Sequence, residues 1–283
     1  MKNVLVTPTF KPDLERCQLL VSSAERFVRG FDAHYLLVDR RDLKVFAPLA
    51  KGNVHLMCKE DLLPKWIFAA PGSRKWWMSL KTLPVRGWVL QQVVKLAVAE
   101  VIDADALIYA DSDVLFVRDW SAHQLWQGDR LRLFREPRVD ELLHGRRYKN
   151  WYRVAAHYSQ LQSPDMIQGG YIAQLNAWRT GHVRALLADI ERLSGKPWKQ
   201  ALLGTLDFSE FILYGTYVEH RLAGQGHFWD PKPLTLSSWY HPVRRPEDLP
   251  AFLSALEPHH VGIHIQSNLR FPVAEYRHLL ATP

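Results

Sequence analysis

The sequence predicts an α/β fold with a doubly wound, mostly parallel central sheet and an elaborated C-terminal half. Short apolar strands alternate with helical segments through the first part of the chain, an order typical of parallel strands joined by crossover helices. Residues 106–110 form an uninterrupted apolar run, as expected of a strand buried on both faces of a sheet. Residues 121–283 are less regular, but no linker precedes them, so we expect one domain over residues 1–283.

Local patterns predict the elements of the first part. Apolar spacing of three and four residues, without internal proline or glycine, predicts helices over residues 13–28 and 88–101. Asp13 is a candidate N-cap of the first helix. Pro8 and Pro12 place a loop after the first strand. The predicted strands are residues 2–9, 34–39, 54–57 and 106–110.

Residues 64–87 depart from this alternation. The segment mixes tryptophans with lysines and arginines, and Pro71, Gly72 and Pro84 break any period. We therefore predict an irregular, partly mobile excursion. A core flap, a sugar-stacking platform, a membrane-contacting loop and a site for single-stranded nucleic acid all remain compatible with this composition.

The strands and helices predicted for the second half of the chain follow each other less regularly. The predictions are a strand at 129–136, helices at 138–163, 178–193 and 207–218, and a turn into a strand at 168–176. The tail carries the apolar stretch 261–265.

Composition limits the class of protein. The chain has 283 residues, 47% of them hydrophobic, and a net charge of +7, which suits a globular protein with anionic partners. No apolar run approaches the ~18 residues that span a bilayer, and the first apolar segment is too short for a signal peptide. Cys17 and Cys58 have neither metal-ligand nor disulfide spacing. We expect a cytoplasmic protein that can contact the anionic inner face of the membrane peripherally.

Two carboxylates follow the buried strand directly. Asp111 and Asp113 are placed where ligands bind in doubly wound sheets, beyond the carboxyl ends of the strands. Mg²⁺ and Mn²⁺ take oxygen ligands, and typically combine one or two carboxylates with water and substrate phosphates. The position of the pair therefore predicts a divalent cation site.

Residues 106–116 resemble the Asp-x-Asp region of GT-A glycosyltransferases, in which a strand ends in two acids that hold Mn²⁺ or Mg²⁺ against the donor diphosphate. The resemblance implies a GT-A-like fold with a nucleotide-binding half at 1–120 and an acceptor half at 121–283. Within such a fold we expect the excursion at 64–87 to lie on the acceptor side of the active site, outside the nucleotide pocket. It also implies a nucleotide-diphosphate sugar as donor, and a glycan or lipid-linked hydroxyl as acceptor. Asp111 and Asp113 are then metal ligands, and nucleic acid is not an expected partner.

Other stretches resemble that family in the same order along the chain. Residues 4–9 resemble its first strand and the loop beneath the nucleotide, which implies contacts from Thr7 and Thr9. Asp39 resembles the acid that contacts the base or ribose, although an acid that only caps a strand end is the alternative. His264 resembles the late histidine that completes the metal site, whereas a lone histidine between two isoleucines is more often a core group.

The sequence Gln168-Gly169-Gly170-Tyr171, followed by Asn176, resembles the small-residue turn of glycogenin-like transferases. The resemblance implies that Gly169 and Gly170 let the backbone approach the donor sugar, and it favours a retaining hexosyltransferase. The tail after His264 departs from that family's pattern. The chain also resembles an uncharacterised group of bacterial glycosyltransferase-like proteins, which leaves the donor and acceptor open.

Further polar residues are candidates for donor contacts and catalysis. Gln92 and Lys95 are three apart on a predicted helix, so they share a face and could reach a donor hydroxyl or phosphate. Asp207 and Glu210 are the candidate catalytic carboxylates, and inversion would need one of them as base. A helix start capped by Ser209 is the competing interpretation of that stretch.

Two other functions compete with glycosyl transfer. A magnesium-dependent nucleotidyltransferase also uses acids on an α/β sheet, but the loop after the first strand lacks the usual glycines. A non-enzymatic, basic module for nucleic acid or membrane would leave Asp111 and Asp113 unexplained.

Overall fold

A computed structural model describes residues 1–138 and 145–280, with backbone alone for residues 145–147. The strands are β1 (Asn3–Pro8), β2 (Val28–Arg29), β3 (Ala33–Val38), β4 (Val54–Cys58), β5 (Ile67–Ala69), β6 (Trp76–Ser79), β7 (Val85–Arg86), β8 (Ala106–Tyr109), β9 (Val114–Phe116), β10 (Trp120–Ser121), β11 (Trp126–Gln127), β12 (Arg130–Phe134), β13 (Glu136–Pro137), β14 (Gly169–Gly170), β15 (Asn176–Arg179), β16 (His227–Asp230), β17 (Thr235–Ser237) and β18 (Gly262–His264). The helices are α1 (Leu14–Phe27), α2 (Leu43–Phe46), α3 (Gly87–Val101), α4 (Gly145–Tyr158), α5 (Thr180–Ser194), α6 (Trp198–Leu203), α7 (Glu210–His220) and α8 (Leu249–Ser254).

The central sheet has the strand order β15–β8–β1–β3–β4. The pairs β8–β1, β1–β3 and β3–β4 are parallel, and β15 joins the β8 edge in the antiparallel sense. The carboxyl ends of four strands therefore meet at one edge of the sheet, where loops have room for a ligand. This arrangement confirms the predicted α/β fold with a mostly parallel sheet.

Both faces of the sheet are covered. Val4 and Val6 of β1 pack into the large cluster that includes apolar residues of α3, α5 and α7. Leu5, between them, packs into a second cluster with Leu20 and Ala24 of α1. Burial of alternate side chains on opposite faces explains why the β1 sequence is apolar throughout.

The prediction for residues 64–87 is wrong in its secondary structure. The segment forms an antiparallel sheet, β5–β6–β7, in which Phe68 lies opposite Met78 and Trp76 opposite Arg86. Trp77 points inward and is 3% exposed, whereas Trp76 is 46% exposed. Large apolar residues occupy both faces of β6, so the alternation of period two is hidden in the sequence.

The C-terminal part returns to the carboxyl edge of the central sheet. Strand β18 pairs with β9, which directly follows the Asp-x-Asp turn, and β17 pairs with the other side of β18. The helix predicted at 138–163 is described as α4, while residues 139–144 lie outside the described residues. Within the described ranges, no helix is both long and apolar enough to cross a bilayer.

Candidate active site

The two acids of the Asp-x-Asp motif occupy the turn that joins β8 to β9. The turn is closed by the Val114 amide, which donates to the carbonyl of Asp111 at 3.1 Å. The side chain of Asp111 is 26% exposed and that of Asp113 is 11% exposed. The strand thus delivers both acids to the carboxyl edge of the sheet, and Asp111 is the more accessible of the two.

A row of three side chains crosses β9, β18 and β17. Nε2 of His264 lies 3.4 Å from Oδ1 of Asp113, and Nδ1 of His264 lies 2.8 Å from Oγ of Ser237. The other oxygen of Asp113 accepts a hydrogen bond from the Ser267 amide at 2.9 Å. Trp239 packs edge-on against the His264 ring. The histidine is therefore fixed in orientation, with one ring nitrogen turned to Asp113.

Asp111 belongs to a second, buried network. Nζ of Lys95 lies 2.9 Å from Oδ1 of Asp111 and 3.1 Å from Oε1 of Glu210. Gln174 donates to Oδ2 of Asp111 at 3.1 Å. Lys95 is 2% exposed and Glu210 1% exposed, so this cation and this anion compensate each other inside the protein.

The electrostatic environment favours the ionised form of Asp113. Burial alone would raise the pKa of Asp113, but His264 and the Ser267 amide outweigh it and hold the pKa below its ordinary value. Burial alone would lower the pKa of Lys95, but Asp111 and Glu210 outweigh it and raise that pKa. For Glu210 burial dominates and raises the pKa, with Lys95 acting against it.

Asp13 adds a third carboxylate to this edge. It lines one small cavity with Asp111 and Asp113, and burial followed by the charge of Asp113 raises its pKa to about 6. It stands at the N-cap position of α1, as predicted, but its side chain makes no cap hydrogen bond.

Three adjoining cavities surround the motif, and Gln91 lines all of them. The cavity at the motif itself, about 150 Å³, is lined by Thr9 and both acids. A larger one, about 620 Å³, extends toward Asp39, Lys59 and the tryptophans of β6. The third, about 430 Å³, contains Lys95 and Glu210 and is lined by aromatic side chains, namely Trp88, Trp151, Phe211 and Trp239.

The structure brings several predicted donor-contacting residues to these cavities. Asp39 lines the largest one, where its carboxylate receives Nζ of Lys59 at 3.0 Å. Gln92 lines the aromatic cavity and donates to the Trp88 carbonyl at 3.0 Å. Thr7 lines none of the three, because its hydroxyl is held 2.9 Å from Nε2 of His34 inside the sheet. The expected contact of Thr7 with a nucleotide stays a prediction.

Gly169 and Gly170 also lie away from the three cavities. They form β14, which pairs with β13, and both are buried. A Cβ atom on Gly169 would lie 2.7 Å from the ring of Tyr171, so the position needs glycine for packing. The structure therefore shows a packing reason for glycine at position 169, and the approach of this backbone to a donor sugar stays a prediction.

Of the two predicted catalytic carboxylates, only Glu210 reaches a cavity, where Lys95 holds it. Asp207 receives a hydrogen bond from Trp151 at 2.8 Å and lies 3.0 Å from the guanidinium of Arg86. It lines none of the three cavities. Ser209 caps α7 by accepting from the Ile212 amide. Ser209 thus caps the helix as the competing interpretation expects, while a catalytic role for Asp207 stays a prediction.

The donor set at the motif fits a hard divalent cation. Oδ1 of Asp113 is buried without a hydrogen-bond partner among the described residues, and it faces the imidazole of His264. No group of three acidic, histidine or cysteine side chains in the described ranges is preassembled as a metal cage. Mg²⁺ and Mn²⁺ commonly use one or two carboxylates together with water and substrate phosphates, so a sparse protein donor set suits them.

Several residues of this site carry no signal in the sequence. Gln174 reaches Asp111 from 63 residues away, just before β15, which pairs with β8. Ser237 reaches His264 through the pairing of β17 with β18. Lys59 follows β4 and holds both Asp39 and the Thr9 carbonyl. Such polar residues are common everywhere in a chain, and only the sheet order makes them neighbours.

The overall fold matches that of a known glycosyltransferase. The crystal structure of mouse xyloside xylosyltransferase 1 in its apo form superposes with a TM-score of 0.52 and 12% sequence identity, over 96% of this chain and 100% of that chain. The match shows a shared GT-A-like fold. No curated protein matches the chain. The sequence profile of one family covers residues 4–282, and the chain therefore belongs to DUF6492, a family of unknown function.

Proposed function

We propose that this protein is a metal-dependent glycosyltransferase that moves a sugar from a nucleotide-diphosphate sugar to a hydroxyl of a glycan or lipid-linked acceptor. The observation that carries the proposal is the Asp111–Asp113 turn at the carboxyl edge of a GT-A-like sheet, with His264 beside Asp113. When bound there, Mn²⁺ or Mg²⁺ would offset the charge that develops on the leaving diphosphate. Asp111, Asp113 and His264 are the residues that would hold the ion.

The cavities suggest how the donor lies. The cavity of about 620 Å³ suits the nucleoside, because Asp39 can accept hydrogen bonds from ribose or base and Trp76 offers an aromatic face. The small cavity at the motif suits the diphosphate. In this arrangement β6 contributes to the nucleotide pocket, which differs from the acceptor-side position expected from the sequence.

The aromatic cavity suits the transferred sugar and the acceptor. Trp88 and Trp151 are stacked with ring centroids 5.3 Å apart, and Trp239 lines the same space. Tryptophan rings present apolar faces on which sugar rings can pack. Lys95 and Glu210 lie deeper and fix Asp111 in place.

We favour retention of configuration at the transferred carbon. The described carboxylates that line the aromatic cavity are those of Asp111, Asp113 and Glu210. The first two are assigned to the cation, and Glu210 is bound by Lys95 at 3.1 Å. Inversion needs a carboxylate free to take a proton from the acceptor hydroxyl, and none of the three is free.

Melting temperatures in the presence of nucleotide sugars test the proposal. A panel of uridine, guanosine and cytidine diphosphate sugars and of the nucleoside triphosphates would be measured with Mn²⁺, with Mg²⁺ and with a chelator. The proposal predicts stabilisation by at least one nucleotide sugar that disappears on chelation, since a ligand that binds the native state stabilises it. Stabilisation by nucleoside triphosphates alone would favour a nucleotidyltransferase, and no metal-dependent shift at all would contradict both.

A further inference from the structure

The antiparallel sheet β5–β7 presents an apolar face to solvent. Trp76 and Met78 alternate on one side of β6, and Phe68 lies opposite Met78, so the three share that side. Their exposed fractions are 46%, 39% and 44%. Leu80 and Leu83, in the loop that follows, are 76% and 72% exposed. These five residues, which we call the apolar face, account for five of the twelve large apolar side chains exposed in the described chain.

The loop that carries the two leucines is ordered by its own hydrogen bonds. Oγ of Ser79 accepts from the amides of Lys81 and Thr82 at 3.1 and 2.8 Å and from the Thr82 hydroxyl at 2.8 Å. A loop fixed in this way holds Leu80 and Leu83 in solvent, although burying them inside the protein would be favourable. An exposed apolar patch of this kind usually marks a contact site.

The surroundings of the apolar face are basic. The chain has no aspartate or glutamate from residue 62 to residue 99. Lys65, Lys75 and Lys81 are exposed, and none of them forms an ion pair with a described side chain. Nζ of Lys81 lies 5.9 Å from the ring of Trp66. Leucine and aromatic side chains beside unneutralised lysines are the composition of a surface that enters an anionic lipid interface.

We propose that the apolar face docks this protein on the surface of an anionic phospholipid bilayer. The apolar side chains would enter the interface while the three lysines meet lipid phosphates. A second copy of this chain is a poor occupant, because it would bring two uncompensated basic faces together. Single-stranded nucleic acid gains little from Leu80 and Leu83, since binding there depends on aromatic stacking.

Docking in this orientation has a consequence for the site. Trp76 belongs to the apolar face and also lines the cavity of about 620 Å³ that contains Asp39. The bilayer surface would then lie beside the mouth of the candidate active site, within reach of a lipid-linked acceptor. The docking itself requires no nucleotide and does not depend on glycosyl transfer.

Vesicle sedimentation of the full chain, without nucleotide, tests the proposal. The probes are vesicles of phosphatidylcholine alone and vesicles that also contain phosphatidylglycerol. The wild-type protein should sediment with the second kind and be released by high salt. Leu80→Asp/Leu83→Asp should lower the partition coefficient about tenfold or more, because it removes two inserting side chains and adds negative charge. Lys65→Gln/Lys75→Gln/Lys81→Gln should weaken binding to these vesicles, and the remaining binding should depend less on salt concentration.

A matched control separates the face from exposed apolar residues in general. Val101→Asp/Met166→Asp changes two side chains that are 58% and 48% exposed elsewhere on the molecule, and should sediment like the wild type. Melting temperatures of all variants check the fold. The proposal is overturned if the wild type does not bind phosphatidylglycerol vesicles, or if the leucine variant binds them equally well. It is also overturned if the wild type is a dimer that the leucine variant converts to a monomer.

Discussion

The ammonium group of Lys95 lies 2.9 Å from Oδ1 of Asp111. Because the lysine comes from α3 and the aspartate from the turn after β8, this contact ties the helix to the candidate metal-binding turn. Glu210 at the start of α7 binds the same ammonium at 3.1 Å. The orientation of Asp111 is thus set by buried groups before any ligand arrives, which is how a precise polar site is usually supported.

We predict that Lys95→Met lowers the free energy of unfolding by about 3–5 kcal/mol, because it leaves the buried Glu210 carboxylate without its counter-ion. The double variant Lys95→Met/Glu210→Gln should recover much of this loss, since the amide carries no charge. Urea unfolding of the wild type, both single variants and the double variant gives the coupling energy. If the double variant lost as much stability as the two single variants together, the two side chains would not compensate each other.

A second prediction concerns the support of His264. Ser237→Ala removes the hydroxyl that lies 2.8 Å from Nδ1 of the imidazole, so the ring is less well oriented. Affinity for Mn²⁺ should fall by about tenfold, as is usual when the partner of a metal-binding histidine is lost. Titration followed by electron paramagnetic resonance measures it, with Ser254→Ala on α8 as control. An unchanged affinity in Ser237→Ala would argue that His264 is not a ligand.

A third prediction separates packing from donor binding at Gly169. Gly169→Ala should lower the melting temperature clearly, because the new methyl group would lie 2.7 Å from the Tyr171 ring. Gly181→Ala is the control, since nothing lies within 4 Å of its Cβ position and alanine favours the helix. Calorimetry should find donor affinity intact in the folded fraction of both variants. A normal melting temperature with weakened donor binding would instead place Gly169 at the donor.

A fourth prediction concerns pH. Burial lowers the pKa of His34 from 6.5 to about 3. Between pH 6.5 and about pH 3, the His34 imidazole therefore binds a proton in the unfolded chain but not in the native protein. The free energy of unfolding consequently decreases as the pH falls through this window. The loss is about 1.4 kcal/mol per pH unit for one such group.

Unfolding free energies between pH 5 and pH 7 measure this slope. His34→Gln should reduce the slope of unfolding free energy against pH by up to about 1.4 kcal/mol per pH unit, because glutamine does not titrate. If His34→Gln kept the wild-type slope, the pH dependence could not be assigned to His34.

The sequence predicts the fold best where local pattern and tertiary environment agree. Residues 106–110 are continuously apolar because β8 is buried on both faces, and Asp111 and Asp113 follow it directly, so both the strand and its acids are predictable. The turn at Gly169 shows the limit. Small residues serve equally for a close approach to a ligand and for packing against an aromatic ring, and the sequence does not distinguish the two.

Contacts between distant segments are the other limit. Ser237 reaches His264 because β17 and β18 pair in parallel, and Asp207 is held by Arg86, which is 121 residues away. No periodicity encodes such pairings, since they depend on how separate elements meet. In β6, Trp76 faces the solvent and Trp77 faces the core. Because both faces carry tryptophan, the alternation of apolar and polar residues that marks a strand is not visible in the sequence.

The central claim is that Asp111 and Asp113 bind a cation that in turn binds a diphosphate. Calorimetry with Mn²⁺ and the nucleoside diphosphate that stabilises the wild-type protein most is the direct measurement. In Asp111→Asn and Asp113→Asn, metal-dependent affinity should fall by about a hundredfold or more while the melting curve stays cooperative, because amides are poor ligands for a hard cation. Asp103→Asn, whose side chain is 97% exposed, should bind like the wild type. Unchanged metal-dependent affinity in both motif variants would contradict the account.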